Sequence, residues 1–180
     1  MATLLERELA GDRLKFVLFW GHEGPVDQAG SHWLSQWFPA RFEVDGQVYP
    51  TAEHYMMAAK AQMFGDASAL AAVLAARTPG EAKALGRSVK GFDSDAWDSV
   101  RFDVVVRANL AKFGQHRAMR DYLIGTGDRV LVEASPVDRI WGVGLAADDL
   151  RATQVAEWVG QNLLGFALME ARDRLLTGSV

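Results

Sequence analysis

An acidic and a basic side chain stand on the same side of one predicted helix. Glu53 belongs to the segment Tyr49–Tyr55, which reads Tyr-Pro-Thr-Ala-Glu-His-Tyr, and Lys60 follows in a run rich in methionine and alanine. Their spacing is nearly two helical turns, so the two side chains point the same way. On a helix otherwise suited to burial, they must either pair or face a pocket in which their charges are used.

These two residue types support a limited set of reactions, and each also has a structural explanation. A carboxylate can transfer protons or stabilise a developing cation, and an amine of lowered pKa can attack an aldehyde to form a Schiff base. Alternatively, Glu53 only favours the N-terminus of its helix, by up to about 1 kcal/mol. Lys60 is alternatively solvated, binds phosphate, or steadies the carboxylate.

Composition limits the classes of protein to which the chain can belong. Its 180 residues are 49% hydrophobic and 23% charged with a formal net charge of -4, which is typical of one soluble globular domain. The absence of cysteine excludes a disulfide framework, a zinc-thiolate site and a cysteine nucleophile. No signal peptide or membrane span is recognisable, so we expect a cytoplasmic protein without membrane association. The slightly acidic balance argues against broad electrostatic binding of nucleic acid.

The remaining sequence predicts the elements that position Glu53 and Lys60. Hydrophobic periodicity, turn residues and helix caps predict strands at Leu14–Trp20, 41–44, 47–49 and Arg129–Glu133, and helices at 51–64, Asp66–Ala76, 78–86, 93–114, His116–Ile124 and Leu163–Leu176. Asp45-Gly46 predicts a tight hairpin turn, and Ile140–Leu145 a glycine-rich loop or strand. We therefore expect an α+β fold, a mostly helical single domain with a few short strands, at residues 14–180 after an N-terminal leader at 1–13.

Common catalytic motifs are not found. Gly142-Val143-Gly144 lacks the third glycine of a dinucleotide-binding fingerprint, and no phosphate-binding loop is present. The four histidines have no metal-ligand spacing, so we expect no metal site. Ser35 has no nucleophile elbow around it, which gives no support to serine hydrolase chemistry.

A series of segments, in order along the chain, carries a resemblance to one family. They are Phe19-Trp20, Leu34–Phe38, Val44–Gly46, Tyr49–Tyr55 with Lys60, Ala84–Arg87, Trp97, Lys112-Phe113, Leu131–Glu133, Trp141–Gly144, and Gln161–Gly165 with Leu168-Met169. Over roughly residues 16–176 the chain resembles the YbiA-like, or NADAR, family. The resemblance implies an N-glycosidase that needs no cofactor. Members of this family act on ribosylaminopyrimidine phosphates, which are early intermediates of riboflavin biosynthesis, or remove ADP-ribose from guanine.

The resemblance, together with the chemistry of N-glycosidic cleavage, assigns roles to particular residues. Cleavage builds positive charge on the sugar, which a carboxylate stabilises. The predicted catalytic residues are Glu53 and Lys60. The predicted substrate-binding residues are Trp20, Ser35, Arg87, Trp97, Trp141, Gly142 and Asn162, with Gln36 ranked among the weaker candidates.

Several of these residues have a competing structural role. Trp97 and Trp141 offer flat faces to a nucleobase but are alternatively core residues. Arg87 fits a phosphate but is alternatively part of a surface salt bridge. Asn162 is expected to cap the last helix and to bind the ligand as well. His54 is expected to make a structural hydrogen bond, since it points away from Glu53.

The expected partner is a nucleotide-like small molecule, with ADP-ribosylated nucleic acid as an alternative. The family often has an aspartate at the position of Val143. The valine removes this possible acid and would leave more of the chemistry to Glu53 and Lys60. A domain that binds ADP-ribose or NAD without cleaving it is the alternative function, and the same pocket would serve it. Neither the exact substrate nor the oligomeric state follows from the sequence.

Overall fold

The computed structural model describes residues 2–178 and has a mostly helical α+β fold, as predicted. Met1 of the predicted leader, and Ser179 and Val180 of the predicted domain, lie outside the described residues. The elements are α1 (Ala2–Leu9), β1 (Phe16–Phe19), β2 (Phe42–Val44), β3 (Gln47–Tyr49), α2 (Ala52–Met63), α3 (Ala67–Ala75), α4 (Pro79–Arg87), α5 (Ser94–Gln115), α6 (Arg117–Gly125), β4 (Val130–Glu133) and α7 (Leu163–Thr177), with 3-10 turns at Ser31–Leu34, Leu150–Thr153 and Val155–Glu157.

Contacts within the chain group these elements into two compact units. The first unit comprises the described residues up to 35 and from 118 onward, and the second unit comprises residues 36–117. Across residues 2–178, no helix combines the length and apolar character that crossing a membrane requires.

In the first unit, two strands distant in sequence pair in parallel. β1 pairs with β4 from Phe16 opposite Val130 to Phe19 opposite Glu133, a pairing that the sequence did not reveal. Helix α7 packs on β4 at Gly165, where a Cβ would clash with the carbonyl oxygen of Leu131. Both strands lie against an apolar cluster of Val130, Val132, Val143, Leu145 and Ala152.

The leader of the chain contains a helix that the sequence did not predict. Helix α1 lies within the first unit, where the Glu8 carboxylate accepts hydrogen bonds from the backbone amides of Val155 at 2.8 Å and Ala156 at 3.0 Å. Exposed backbone amides at the start of a 3-10 turn attract a carboxylate in this way. The leader therefore packs on residues more than a hundred positions later in the chain.

In the second unit, the predicted hairpin is present. Strands β2 and β3 are antiparallel and joined by Asp45 (φ 52°) and Gly46 (φ 79°), both in the left-handed region that the tightest hairpin turns require. The side chain of Gln115 at the end of α5 holds β2, because it bonds both the amide (2.9 Å) and the carbonyl (2.8 Å) of Glu43.

Helix α2 packs against α3, α4 and α5 and lies at the centre of the second unit. The four helices begin close to the predicted positions, at side-chain caps: Thr51, Asp66, Thr78 and Asp93 each accept a hydrogen bond from a backbone amide of the following turn. Three hydrogen-bond donors, first the amide of Lys90, hold the pKa of the Asp66 carboxyl well below its usual range.

Candidate active site

The predicted site residues fall in both units. Glu53, Lys60, Arg87 and Trp97 lie in the second unit, and Trp20, Ser35, Trp141, Gly142 and Asn162 lie in the first. Each set is described within its own unit.

Glu53 lies in the first turn of α2 and is only 3% exposed. Its backbone amide donates to the carbonyl of Gln36 at 3.0 Å, which fixes the start of α2 against the segment that follows the Ser31–Leu34 turn. A carboxylate at a helix N-terminus is stabilised by the partial positive charge of the helix dipole. The fold therefore holds an acidic group inside the protein, at the N-terminal end of a helix.

The neighbouring His54 has a structural role, in agreement with its expected orientation. Its Nε2 lies 3.2 Å from the carbonyl oxygen of Ala76, which can only accept, so Nε2 carries the proton. Its Nδ1 lies 2.8 Å from the Thr51 hydroxyl, the same group that caps α2. Burial lowers the pKa of His54, so the neutral ring is favoured and ties α2 to the end of α3.

Lys60 lies on the Glu53 side of α2, about 10 Å further along the helix axis. Its Nζ is 3.9 Å from the centroid of the Phe92 ring, a cation–π contact. The residue is half-buried, and burial lowers its pKa. A larger fraction of this amine is therefore neutral, and hence nucleophilic, than for a lysine in water.

Arg87 and Trp97 occupy different environments in the second unit. Arg87 is exposed at the last position of α4, directly after Gly86, where a Cβ would clash with the thioether of Met57. Gly86 thus brings the end of α4 close to α2. Trp97 is buried in α5, as its core alternative requires, and its contact with a base stays a prediction.

In the first unit, Trp20 and Ser35 follow regular elements. Trp20 comes directly after β1 and is 59% exposed, which is unusual for so large an apolar side chain. Ser35 is half-buried and ends the Ser31–Leu34 turn, where its amide donates to the carbonyl of His32. Both positions fit the predicted binding role without testing it.

The loop that contains Trp141 and Gly142 is held by hydrogen bonds within the first unit. The Trp141 amide donates to the Asp138 carboxylate at 2.8 Å, and the ring is half-buried. A Cβ on Gly142 would lie 2.8 Å from the carbonyl oxygen of Glu133. The glycine is thus required for close approach of two backbone segments, independently of any ligand.

The structure corrects the expected cap at Asn162. Asn162 is the residue before α7 but has a left-handed backbone (φ 53°), and its side chain makes no capping hydrogen bond. Its Oδ1 accepts from the Glu133 amide at 3.0 Å, and its Nδ2 donates to the Leu131 carbonyl at 2.9 Å. The side chain turns to β4 because two backbone groups there lack partners on that side, so it braces the strand instead of the helix.

Comparison with known proteins identifies the family. A family model described as the NADAR domain matches residues 18–176. The chain belongs to the NADAR family. The predicted family is thereby confirmed.

Proteins similar to this chain include named N-glycosidases and a protein of solved structure. N-glycosidase R617 of Acanthamoeba polyphaga mimivirus is 40% identical over 88% of this chain and 95% of its own length. N-glycosidase YbiA of Escherichia coli strain K12 is 34% identical over 74% of each chain. The NMR structure of E. coli YbiA matches with a TM-score of 0.73 and 29% identity, covering 92% of this chain and 87% of that one.

Within this NADAR domain, Val143 is a core residue. It is fully buried in the apolar cluster with Val130, Val132 and Leu145, and a carboxylate in that position would be costly to bury. The valine is explained by packing in the first unit. That this valine leaves more of the chemistry to Glu53 and Lys60 stays a prediction.

Two polar residues of α5, Asn109 and Lys112, were not identified from the sequence as site candidates. Both are fully buried, and they lie one turn apart on the helix stripe that also carries Val105 and Ala108. Asn109 bonds the side chain of Gln36, and the Lys112 Nζ lies 5.8 Å from the centroid of the Phe38 ring. The signal was present in the sequence, since polar residues on an apolar stripe are what drew attention to Glu53 and Lys60.

These contacts bring a set of polar residues to the segment 36–38. Gln36 bonds the Glu53 amide through its backbone and Asn109 through its side chain, and Lys112 packs near Phe38. Burial lowers the pKa of Lys112 to about 7. Buried polar groups of the second unit thus meet at the segment 36–38, which contacts the start of α2 through Gln36, an arrangement more typical of a reaction site than of a structural core.

A groove on another face of α2 contains none of the predicted site residues. It has a cavity volume of about 420 Å³ and lies between α2 and α5, and the Arg107 guanidinium on its wall bonds both oxygens of Asp45 at 2.8 Å. Tyr55, Ala59 and Gln62 line it from the side of α2 opposite Glu53. Within residues 2–178, no cluster of three or more histidine, aspartate or glutamate side chains is placed to hold a metal ion.

Proposed function

We propose that this chain hydrolyses the N-glycosidic bond of a phosphoribosyl or ADP-ribosyl compound. The class of enzyme, an N-glycosidase, is the one named for relatives at up to 40% identity, and the predicted class is confirmed at that level. The observation that carries the proposal is the Glu53 carboxylate, which is buried at the N-terminus of α2 beside other buried polar groups.

The reaction places a specific demand on Glu53. As the bond between the anomeric carbon and the base nitrogen breaks, the sugar gains oxocarbenium character and the nitrogen takes the bonding electrons. A water molecule then adds its oxygen to the anomeric carbon and loses a proton, while the departing nitrogen gains one. We assign Glu53 to stabilise the cation and to transfer the proton, because a preorganised carboxylate shielded from water interacts strongly with developing positive charge.

Lys60 is proposed as the second catalytic group. Its lowered pKa increases the neutral fraction of the amine. The neutral amine can add to the aldehyde carbon of the opened sugar and expel the aldehyde oxygen as water to form a Schiff base, which water later hydrolyses to regenerate the amine. The alternatives are that its charge binds a substrate phosphate or steadies Glu53. Arg87, exposed at the end of α4, is proposed to bind phosphate through its planar guanidinium.

The substrate is proposed to be a ribosylaminopyrimidine phosphate or ADP-ribosylated guanine. It is bound as a nucleotide-like small molecule or, alternatively, as part of an ADP-ribosylated nucleic acid. The remaining assignments stay predictions: Trp20, Ser35, Trp97, Trp141, Gly142 and Asn162 as substrate-binding residues, and 14–180 as the extent of the domain. No cofactor is part of the proposed reaction.

A substrate panel tests the proposal. Purified protein is incubated with ribosylaminopyrimidine 5′-phosphate and with ADP-ribosylated guanosine, and free base and sugar are separated by liquid chromatography. We expect time-dependent release of base from one of the two. Tight binding of ADP-ribose in calorimetry, without release from either compound, would instead indicate the binding module. Trapping with cyanoborohydride followed by mass spectrometry assigns the amine: an adduct on Lys60 supports the Schiff base.

A further inference from the structure

Two buried amide side chains in the second unit, those of Gln36 and Asn109, form a hydrogen-bonded pair in which one nitrogen and one oxygen have no partner among the described residues. Asn109 Nδ2 donates to Gln36 Oε1 at 3.1 Å and to the Val105 carbonyl oxygen at 2.9 Å, so both of its hydrogens are used. Gln36 Nε2 and Asn109 Oδ1 have no hydrogen-bond partner among the described residues. Yet Gln36 is only 7% exposed and Asn109 is 0% exposed.

The orientation of both amides is fixed by their partners. The Val105 carbonyl can only accept, so the atom of Asn109 that faces it must be the nitrogen. That nitrogen in turn requires the oxygen of Gln36. Turning either amide over would bring two oxygens or two nitrogens together, so the pair necessarily ends in one donor and one acceptor.

Leaving two such atoms unpaired is costly for a folded protein. A buried polar atom without a partner destabilises the native state, and an apolar pair of the same shape would avoid this cost. The pair therefore has the character of a binding group, whose free ends are satisfied by something that the protein takes up.

The position of the pair indicates which part of a substrate it meets. The Gln36 backbone carbonyl accepts from the Glu53 amide at 3.0 Å, so Gln36 contacts the turn that carries the proposed catalytic carboxylate. In the proposed function this carboxylate acts at the anomeric carbon of the sugar. The hydroxyl nearest to that carbon on a ribosyl substrate is the 2′-hydroxyl, on the adjacent carbon.

We propose that Gln36 Nε2 and Asn109 Oδ1 bind the 2′-hydroxyl of a ribosyl substrate, an inference that rests on the proposed function. A hydroxyl accepts from the Gln36 amide and donates to the Asn109 carbonyl, so one group satisfies both ends. A phosphate dianion has no hydrogen to donate to Asn109 Oδ1. Hydrogen bonds at this hydroxyl strengthen as the sugar becomes cationic, so the pair determines specificity and also supports catalysis.

The test compares ribosylaminopyrimidine 5′-phosphate with its 2′-deoxy analogue in wild type, Gln36→Met and Asn109→Leu. For each protein we take the ratio of kcat/KM for the ribosyl substrate to kcat/KM for the 2′-deoxy analogue. The two sugars differ in intrinsic reactivity, but this difference is the same for every protein and cancels when the ratios are compared. We expect the preference for the ribosyl substrate, as kcat/KM, to fall about tenfold in each variant, which is the loss of one net hydrogen bond. Gln47→Met, which removes an exposed amide of β3, should leave the ratio unchanged.

An unchanged ratio in both variants would overturn the proposal. If kcat/KM falls equally on the two substrates, the ratio is unchanged, and the loss indicates a contact to the base or a structural role. Thermal unfolding of each variant verifies that it is folded. Calorimetry with ribose 5-phosphate and 2-deoxyribose 5-phosphate on the wild type needs neither turnover nor variants, and we expect about tenfold tighter binding of ribose 5-phosphate. Equal affinities would also contradict the proposal. If no base is released but this difference is present, the proposed reaction fails while the binding site remains.

Discussion

Asn162 and the Gln36–Asn109 pair are all buried amides, but they use their hydrogen-bonding capacity differently. Both ends of the Asn162 side chain bond backbone groups of β4 in the first unit. In the second unit, Gln36 and Asn109 bond each other and leave one donor and one acceptor unpaired beside the first turn of α2. The first arrangement completes a strand, whereas the second is complete only when another group is added.

The difference shows how a buried polar residue can be assigned a role. Burial alone does not separate structure from function, since Asn109 and Asn162 are equally buried. They differ in the bonding of their polar atoms: the fold satisfies both ends of Asn162, whereas among the described residues one donor and one acceptor of the Gln36–Asn109 pair have no partner.

Removing the amide of Asn162 should give the largest change in stability. Asn162→Ala leaves the Glu133 amide and the Leu131 carbonyl without their partner, so we expect the free energy of unfolding to fall by about 2–4 kcal/mol in urea titrations. Gln154→Ala, an exposed amide in the same unit, should change it by less than about 0.5 kcal/mol. A similarly small change for Asn162→Ala would remove the structural half of the comparison.

Lys112 extends the comparison to a buried charge. Burial lowers its pKa in the folded state to about 7, whereas the usual value is 10.5. Between these two values the unfolded chain binds more protons, so the stability of the wild type should rise with pH from about 7 to 10, by up to about 1.4 kcal/mol per pH unit.

As the pH falls through this window, the stability is lost again, because the buried amine must take up a proton. Lys112→Met should flatten the rise of stability with pH, whereas Lys90→Met, at an exposed position, should leave it unchanged. The readout is the urea midpoint at a series of pH values. A Lys112→Met curve parallel to that of the wild type would show that this amine does not titrate in the window.

Replacing the Gln36–Asn109 pair should have the smallest effect on stability. The double variant with Gln36→Met and Asn109→Leu removes both hydrogen bonds of the Asn109 amide together with both unpaired atoms. Because the lost hydrogen bonds offset the relief of the unpaired atoms, we expect the free energy of unfolding to change by less than about 1 kcal/mol in either direction. The double variant is compared with Asn162→Ala in the same urea titration. A loss as large as that of Asn162→Ala would mean that the pair is structural too.

Much of the fold was predictable from the sequence because its signals are local. The helices capped by Thr51 and Thr78 begin where the side-chain pattern indicated, and Asp45-Gly46 forms the expected turn. The parallel pairing of β1 with β4 was not predictable, since it joins segments more than a hundred residues apart. Helix α1 was missed because its anchor, Glu8, bonds amides that are equally distant in sequence.

The candidate site was predictable only in part. The motif around Glu53 pointed to a buried carboxylate, which the structure contains. Asn109 and Lys112 come from a helix that begins about forty residues later, and only tertiary packing brings them to the segment 36–38. The expected side-chain cap at Asn162 was wrong, because a position before a helix suggests a cap and no local signal reveals that the side chain bonds β4.

The most direct test of the account is base release by Glu53→Gln. The glutamine has nearly the same shape but carries no charge and cannot transfer the proton, so we expect kcat to fall about 10²- to 10⁴-fold on whichever compound the wild type cleaves. Thermal unfolding of the variant controls for an effect on folding. Release of base by Glu53→Gln at the rate of the wild type would contradict the account.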